Sequence, residues 1–500
     1  MGTEVMENKI EKYTYTRSLC MVLYRAVTLE APGMTLRVEH SISHGQYCRL
    51  LRADGSVVQV DRDLAGRLLR RMRLLVDADL PFRISVRPKA EAIDIFRKEG
   101  LSEKIELLDT IPGNEVRCYE FDGALDSYIG DLAERSGQLR VFDLRMYKEG
   151  LLLLGPDPSN PAVPVRPVRQ AKMYKAFRQS LEFNKVIRVS CAGELNRVVL
   201  NNDTKMLINV AEAMHNKLLG RISDEIATRH RRGEASLIML AGPSSSGKTT
   251  TCKRLAVQLM TNMMSPKMIS LDDYFVNRVH TPLDADGNYD YESLYALDLK
   301  QFNQDLNDLL AGREINLPTY SFEKGERIYK DRPLKLEKDD VLLIEGIHGL
   351  NPELTASVPK EQVYKVYVSA LTSLRLDNHN WISTSDNRLL RRMVRDSKYR
   401  GTTPSQTLER WPSVRRGEEK WIFPFQENAD AVFNSSLIFE LGVMKDYLEP
   451  LLLSVSPDDP HYAEAMRLAD FLGCFLSIPA EQVPANSLLR EFLGGSSFHY

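Results

Sequence analysis

The sequence predicts an α/β fold in the C-terminal half, with a parallel sheet flanked by helices, and a separate α+β unit before it. In the C-terminal half, short apolar runs alternate with helical patterns such as the one at 302–310, which is typical of βαβ units. In the N-terminal part, helical spacing at 62–77 and 90–99 is mixed with strand-like alternation at 82–86. The apolar runs that predict the strands of the parallel sheet lie at 236–241, 267–271, 340–344, 363–368 and 431–433.

A proline-rich stretch at 155–168, GPDPSNPAVPVRPV, separates these two parts. Because proline fixes φ and has no backbone N–H, this stretch is predicted to lack regular structure and to mark a domain boundary. Helical patterns at 171–183 and 205–229 follow it and predict a connector. The predicted organisation is a first domain at 1–165, a helical connector at 166–235, an α/β domain at 236–450 and a helical extension at 451–500.

Composition narrows the class of protein. A chain of 500 residues has room for roughly three domains at about 150 residues each. Lys and Arg number 66 and Asp and Glu 68, so the net charge of −2 argues against a surface built as a whole for nucleic acid. The apolar runs fall far short of the ~18 residues of a membrane span, and the polar N-terminus lacks a secretory pattern, so a cytoplasmic protein without a membrane partner is expected. The 6 cysteines are scattered, which predicts reduced thiols.

A glycine-rich segment directly after the first of the five apolar runs matches the pattern G-x-x-x-x-G-K-[ST]. The glycines let successive N–H groups point at phosphate oxygens, Lys248 adds a positive charge at the β- and γ-phosphates, and Thr249 offers a hydroxyl to Mg²⁺. The apolar run before the motif and the helical pattern after it are the context that a nucleotide-binding P-loop requires. The predicted contacts to the nucleotide are Gly242, Ser244, Ser245, Ser246, Gly247, Lys248, Thr249 and Thr250.

Two acidic residues follow other apolar runs. Glu345 comes directly after the run at 340–344, where we predict that it holds Mg²⁺ together with Thr249. Asp272 follows the run at 267–271, and the carboxyl ends of strands in an open parallel sheet line the ligand crevice. We therefore predict that Asp272 accepts a proton from an attacking hydroxyl. Two other roles of Asp272 stay open at this point, a cap of the next helix and a water-mediated contact to Mg²⁺.

A cluster of arginines forms the fourth element. Helical spacing places Arg388, Arg391, Arg392 and Arg395 along one face, and Arg400 follows shortly after. Such a face can close over phosphates as a lid, because guanidinium groups bind phosphate oxygens in a bidentate manner. The alternative is a solvated basic face. With Lys248, Arg391 and Arg395 are predicted to act in phosphoryl transfer, and Arg391 and Arg400 in substrate binding.

Together these motifs resemble the uridine/cytidine kinase and phosphoribulokinase family of P-loop kinases. The likeness runs over 236–440 through GPSSSGKTT, SLDDYF, NYDYESLYALD, LPTYSF, LLIEGIHGL and RRMVRDSKYRG. It implies a P-loop kinase fold, ATP and Mg²⁺ as cofactors, and Asp272 as the general base. It also implies that Glu292 and Arg391 hold ribose hydroxyls. The aromatic residues implied to line the base or sugar are Phe275, Tyr291 and Tyr320.

The resemblance implies transfer of the γ-phosphoryl group of ATP to the 5′-hydroxyl of a nucleoside, by a homo-oligomeric enzyme. Three departures concern the acceptor. Glu323 and the three residues after it stand where uridine kinases carry a histidine that reads the pyrimidine, Thr402 replaces an arginine after the lid glycine, and Glu292 replaces an aspartate. Another small alcohol or a sugar phosphate is therefore the alternative acceptor.

The N-terminal part has a resemblance of its own. Residues 13–146, and above all 79–116, resemble the second additional domain of threonyl-tRNA synthetase, an editing domain shared with alanyl-tRNA synthetase. The H-x-x-x-H and C-x-x-x-H pairs of those domains align with Arg17, Met21, Tyr128 and Leu132. None of the four can replace the His/Cys cluster, so neither editing nor a metal is predicted. His40 and His44, which form an H-x-x-x-H pattern in the sequence, are predicted to be structural or surface residues, with metal binding as the minor alternative.

A fusion of these two parts resembles a bacterial architecture of nucleoside kinases. A third reading belongs to another class, a tRNA-binding or other RNA-binding regulatory ATPase that uses the synthetase-like domain. A basic patch on the helical pattern at 62–77 would supply the contacts, although a solvated helix face is the commoner meaning of such a patch. The patch consists of Arg67, Arg70, Arg71 and Arg73.

Overall fold

The computed structural model describes residues 2–284, 287–321 and 323–499, and for residues 2–11 the backbone only. In this part of the chain, no helix has both the length and the apolar character needed to cross a membrane.

Two antiparallel sheets and four helices make up the N-terminal unit. The strand orders are β1-β2-β7-β6 and β3-β4-β5. One hydrophobic cluster joins α1 and α2 to both sheets, which gives an α+β unit with its own core. The elements are α1 (Gly2–Glu30), β1 (Thr35–Ile42), β2 (Gly45–Leu51), α2 (Arg62–Asp77), β3 (Arg83–Pro88), α3 (Lys89–Lys98), α4 (Ser102–Thr110), β4 (Glu115–Phe121), β5 (Ala124–Asp126), β6 (Asp143–Tyr147) and β7 (Gly150–Leu154).

The proline-rich stretch contains regular structure, so the prediction that it lacks any was wrong. A short antiparallel hairpin, β8 (Pro156–Asp157) and β9 (Asn160–Pro164), lies inside it. A separate two-stranded sheet tolerates proline because each strand has an edge on which no N–H is needed. Three helices then fill the predicted connector: α5 (Ala171–Ile187), α6 (Ala192–Leu200) and α7 (Thr204–His230).

A parallel sheet of order β11-β14-β10-β15-β16 forms the C-terminal half, and its strands are the five that the apolar runs predict. The prediction of a parallel sheet flanked by helices is confirmed. The elements are β10 (Leu237–Ala241), α8 (Lys248–Thr261), β11 (Ser265–Ser270), α9 (Leu299–Leu310), β12 (Ile315–Ser321), β13 (Glu326–Leu334), β14 (Asp340–Glu345), β15 (Val363–Ser369), α10 (Thr384–Arg400), α11 (Pro404–Trp421), β16 (Ala431–Asn434), α12 (Glu440–Leu453), α13 (Tyr462–Gly473) and α14 (Arg490–Leu493).

The central strand β10 is buried on both faces. Leu237 and Met239 belong to a cluster with residues of α9, whereas Ile238 and Leu240 belong to a cluster with residues of α7, α8 and α12. Alternate side chains of a strand point to opposite faces, so helices cover the sheet on both sides. The antiparallel hairpin β12–β13 stands outside this sheet, and the sequence pattern did not predict it.

Charged side chains are buried where the two halves meet. Arg375 lies in the loop after β15 and reaches into the N-terminal unit, with Nη1 2.8 Å from Glu39 Oε2 and Nη2 2.8 Å from Glu103 Oε1. Arg375 is 1% exposed, and Glu39 also pairs with Arg49. The guanidinium of Arg375 therefore joins β1 and α4 to the C-terminal half.

A second buried group lies beside the first. Lys104 Nζ is 2.8 Å from Asp126 Oδ1 and 3.0 Å from Asp377 Oδ1, and His379 Nδ1 is 2.7 Å from Asp126 Oδ2. Although burial alone would raise it, the pKa of Asp126 is lowered because Lys104 and His379 stabilise the carboxylate. The loop that carries Asp377 and His379 is thus bound inside the N-terminal unit by paired charges.

Candidate active site

The P-loop connects β10 to α8. At Gly242 the backbone passes so close to β15 that a Cβ atom would lie 2.0 Å from the carbonyl oxygen of Val368, so only glycine fits. Gly247 has a φ of +81° and directly precedes the first helical residue, Lys248. Both glycines of the motif are therefore required by the backbone itself, as the prediction assumed.

The first turn of α8 is an anion-binding feature. Its leading N–H groups have no intrahelical partner, and its N-cap Gly247 has no side chain to satisfy them. Such N–H groups, at the positive end of the helix dipole, bind phosphate. Lys248 lies in the same turn and donates from Nζ to Pro243 O at 3.2 Å, which keeps its charge at the loop. Ser245 and Ser246 are buried beneath this turn.

Glu345 and Thr249 meet at the carboxyl end of the sheet. Ser270 of β11 pairs in register with Glu345 of β14, so both strands end side by side. The hydroxyls of Thr249 and Ser270 each donate to Glu345 Oε1 at 3.3 Å. Burial, followed by the charge of Asp272, raises the pKa of Glu345 to about 7, and Lys248 opposes the rise.

This pair fits Mg²⁺. Among the described residues, no group of three or more His, Cys, Asp and Glu side chains could hold a metal on its own. Mg²⁺ commonly takes only one or two protein carboxylates and completes its shell with phosphate oxygens and water. The Thr249 hydroxyl and the Glu345 carboxylate are suitable ligands for a cation. A bound cation would also reduce the repulsion between Glu345 and Asp272.

Asp272 lies in the turn after β11, beside the P-loop. Ser270, and not Asp272, caps this turn, since its hydroxyl accepts from the N–H of Asp272 at 3.3 Å. The Asp272 side chain is exposed, and we call the space between it and Lys248 the cleft. Desolvation by neighbouring residues raises the pKa of Asp272 and Asp273 adds to the rise, whereas the charges of Lys248 and Arg395 oppose it.

The neighbouring acid has a structural role. Asp273 Oδ2 lies 3.2 Å from Nη1 of Arg332 on β13, and its other oxygen accepts from the N–H of Tyr320 on β12 at 3.4 Å. Asp273 thereby fastens the β12–β13 hairpin to the turn. Of the two adjacent aspartates, Asp273 holds the hairpin, and Asp272 lies near the charge of Lys248.

Arg391 does not lie where it was predicted. It is 0% exposed, its Nε donates to Glu440 at 2.8 Å, and its Nη2 donates to Ser435 O at 2.8 Å. The structure therefore corrects its assignment beside Glu292. Arg392 lies about 100° further around the helix, and that rotation points it to the cleft instead.

Arg392, which the sequence analysis placed on the arginine face without assigning it a role of its own, contacts the P-loop. Its Nη1 donates to the hydroxyl of Ser244 at 2.9 Å. Asp396 lies 3.2 Å from Arg392, 2.9 Å from Arg395 and 3.6 Å from Arg400, and so gathers three guanidinium groups on one side of α10. The signal was present in the sequence as the second arginine of the RR pair, but spacing alone did not show which of the two faces the cleft.

Arg388, the first arginine of the pattern along the chain, contacts the backbone of the P-loop. Its Nη2 donates to Glu418 Oε2 at 2.8 Å and its Nη1 donates to Ser244 O at 3.0 Å. Glu418 Oε1 in turn accepts from the N–H of Ser244 at 3.0 Å. Both groups are almost fully buried, so this pair fixes the start of the P-loop against α11.

The predicted aromatic residues come together next to this cleft. The ring centroid of Phe275 lies 5.5 Å from that of Tyr320 and 6.4 Å from that of Tyr291. Phe275 and Tyr320 are buried, whereas Tyr291 is 38% exposed. The three rings form a wall of the size and chemistry that a sugar or a base can pack against.

Glu292 lies at the same wall, among charges. Its Oε2 is buried and has no hydrogen-bond partner among the described residues. Burial raises the pKa of Glu292 to about 7, Glu418 adds to this, and Arg392 and Lys248 oppose it. An oxygen without a partner in a polar cleft is suited to bind a ligand hydroxyl.

Glu292 should make the free energy of unfolding fall as the pH rises from about 5 to 7, by about 1–2 kcal/mol. The folded protein keeps the Glu292 proton up to about pH 7, whereas the unfolded chain releases it near pH ~4.3, so the unfolded state gains stability in this window. Thermal unfolding at several pH values measures the slope, and Glu292→Gln should flatten it. An unchanged slope in the variant would contradict the shift.

Comparison with known proteins covers the C-terminal half. Residues 237–438 match the model of the phosphoribulokinase / uridine kinase family. The uridine kinase of Macrococcus caseolyticus is 27% identical over 200 residues, which are 40% of this chain and 87% of that protein. The uridine kinase of Staphylococcus aureus is 26% identical over 198 residues, 39% of this chain and 86% of that protein. These similarities indicate a phosphotransferase.

Two solved structures are similar to part of the chain. A putative fructose transport system kinase from Silicibacter sp. TM1040 has 16% identity and a TM-score of 0.32, and the match covers 43% of this chain and 98% of that one. A possible uridine kinase from Bacillus stearothermophilus has 18% identity and a TM-score of 0.28, with 40% and 89% covered.

Proposed function

We propose that this chain is an ATP- and Mg²⁺-dependent kinase that transfers the γ-phosphoryl group to the 5′-hydroxyl of a nucleoside. One observation carries the proposal: Lys248 of the P-loop lies close enough to both Asp272 and Glu292 for its charge to stabilise their carboxylates. The family match over the same residues supports a phosphoryl donor in this cleft.

The donor side is built to stabilise negative charge. The N–H groups of the first turn of α8 and the ammonium group of Lys248 bind the phosphates, and Arg392, Arg395 and Arg400 offset charge that develops on the transferring group. Thr249 and Glu345 would hold Mg²⁺, which when bound neutralises phosphate charge. Arg391 takes no part in this step, because it is buried against Glu440.

On the acceptor side of the site, a carboxylate takes up the proton of the attacking hydroxyl. Asp272 accepts the proton of the attacking hydroxyl, and its raised pKa makes the carboxylate a better base than an ordinary aspartate. Glu292 accepts a hydrogen bond from another hydroxyl of the sugar, and Phe275 and Tyr320 pack against its apolar side. Because Glu292 Oε2 has no partner among the described residues, a hydroxyl of a polyol acceptor would satisfy it.

Asp272→Asn should lower kcat by about 10³-fold and leave the affinity for ADP unchanged, because it removes the proton acceptor only. The matched control is Asp273→Asn, which should lower the Tm by loosening the β12–β13 hairpin but retain most of kcat. A panel of nucleosides, other alcohols and sugar phosphates, read by ADP release, identifies the acceptor. Near-normal turnover of Asp272→Asn with a nucleoside would refute the assignment, and a response to sugar phosphates alone would refute the acceptor class.

Arg392→Ala should lower kcat/KM by about 10²-fold with little change in Tm, because the guanidinium acts on the phosphoryl group at the surface of the cleft. Arg391→Ala should instead lower stability by about 3–5 kcal/mol, because Glu440 would be left buried without its partner. Steady-state kinetics and thermal unfolding of both variants separate the two roles. Equal effects of the two substitutions on both measurements would contradict the division.

We propose that the N-terminal unit is a relative of the synthetase editing domain that has lost its reactive cluster. Arg17 Nε donates to Asp131 O at 3.1 Å, so the two aligned stretches face each other in space. His40 lies on β1 and stacks on Phe177 with ring centroids 3.7 Å apart, and burial lowers its pKa to about 3, which suits a neutral structural residue.

The RNA-binding alternative has weaker support. Arg67 pairs with Asp63 and Arg71 with Glu30, so half of the basic patch on α2 is neutralised by neighbours. Salt-dependent binding of tRNA to the whole chain would favour this alternative, and no binding at low ionic strength would remove it.

A further inference from the structure

The C-terminal segment at 484–499 packs against the P-loop. It lies beyond the residues that match the kinase family model, which end at 438. Leu488 contacts Gly247 so closely that a Cβ atom on that glycine would lie 2.6 Å from Leu488 Cδ2. The segment therefore covers the turn at which α8 begins.

Glu491 of this segment binds the first turn of α8 directly. Its Oε2 accepts from the N–H of Thr250 at 3.2 Å and from the Thr250 hydroxyl at 2.6 Å. Thr250 is the third residue of the helix, where N–H groups without an intrahelical partner bind anions. A carboxylate of the chain itself thus occupies a position that suits a phosphate oxygen of the donor.

Further contacts join the segment to both α10 and α8. Lys398, in the last turn of α10, donates from Nζ to Leu493 O, and Lys253 of α8 donates to His499 O. The guanidinium of Arg391 lies 5.3 Å from the ring centroid of Phe492. Glu491 is therefore held in place by the lid helix as well as by the helix that it caps.

We propose that residues 484–499 form an autoinhibitory latch, in which Glu491 occupies a donor phosphate position at Thr250 and nucleotide binding displaces it. The inference rests on the proposed function only in that the competing anion is a phosphate of the donor. Two anions cannot share the same N–H and hydroxyl, so the affinity for nucleotide is lowered by the free energy of the Glu491 contact. The contacts of Lys398 connect release of the latch to movement of α10.

The test compares Glu491→Gln with Glu481→Gln in the full chain, using ADP with Mg²⁺ as the probe in calorimetric titration. Glu491→Gln keeps the shape of the side chain and removes its charge, so we expect ADP to bind about tenfold more tightly, equal to about 1.4 kcal/mol. Glu481 is exposed and belongs to the same C-terminal extension, so its variant should bind like the unaltered protein. A Glu491→Gln protein that binds ADP equally or more weakly would show that Glu491 only caps α8.

A second measurement needs no variant. Hydrogen exchange of the amides at 486–494 should increase when ADP binds the unaltered protein, because the latch leaves α8. Unchanged or slower exchange overturns the latch even if the kinase assignment stands. If neither the unaltered protein nor Glu491→Gln binds ADP, both the latch and the donor site are wrong, whereas equal binding by the two overturns the latch alone.

Discussion

Lys248→Ala should reduce kinase turnover by at least about 10³-fold while the fold remains intact. Lys248 is the positively charged residue of the P-loop and its charge acts on both Asp272 and Glu345, so a donor phosphate bound beside them would be attracted to the same ammonium group. Few stabilising contacts are lost, since Nζ donates within the loop to Pro243 O. The expected signature is a large fall in kcat/KM for ATP with a Tm close to that of the unaltered protein.

The measurement is ADP release at saturating acceptor, beside a thermal melt of the same samples. Lys300→Ala is the matched control, because Lys300 is an exposed lysine of α9. The two substitutions remove the same charge from the chain and differ only in place. Comparable activity of the two variants would show that Lys248 takes no part in phosphoryl transfer and that the P-loop has another role.

Arg375→Ala should lower the free energy of unfolding by about 3–5 kcal/mol, a loss as large as the one expected for Arg391→Ala. Removing the guanidinium leaves the carboxylates of Glu39 and Glu103 buried with less compensation, although Arg49 and Arg37 remain near them. Because these acids lie in the N-terminal unit and Arg375 in the C-terminal half, the loss should weaken the junction of the two.

Denaturant or thermal unfolding followed in both halves measures this effect. Arg178→Ala is the control, because Arg178 and Glu182 form an exposed pair, with side chains 66% and 61% accessible, whose loss should cost less than about 1 kcal/mol. The Arg375 variant should also show a wider or split transition, since the two halves are less strongly coupled. A midpoint within error of the Arg178 variant would contradict the importance of the buried network.

The P-loop and the strands of the parallel sheet were predictable because their signals are local. Five apolar runs became the five strands, and the motif at 242–249 lies between the predicted strand and the predicted helix. The carboxylates Asp272 and Glu345 follow from the same logic, since the ends of parallel strands share one edge. Local pattern and tertiary arrangement agree at all of these positions.

The sequence pattern did not show which arginines of α10 face the P-loop and which are buried. Arg391 and Arg392 are adjacent in the sequence, and which of them faces the cleft depends on how the helix rotates against Glu440 and the P-loop. Hydrophobic periodicity fixes that rotation only approximately. The contact of Glu491 with Thr250 could not be predicted from the sequence either. The two residues are 241 positions apart, and no sequence motif contains both of them.

The loop that carries Arg375, Asp377 and His379 sets a limit on how this protein can be dissected. A fragment that began at 236 would present these three side chains to solvent without the counter-charges of β1, α4 and β5. The isolated C-terminal half would then expose charged groups that are paired with the N-terminal unit in the full chain. Any unit that replaced the N-terminal one would have to supply the same counter-charges to that loop.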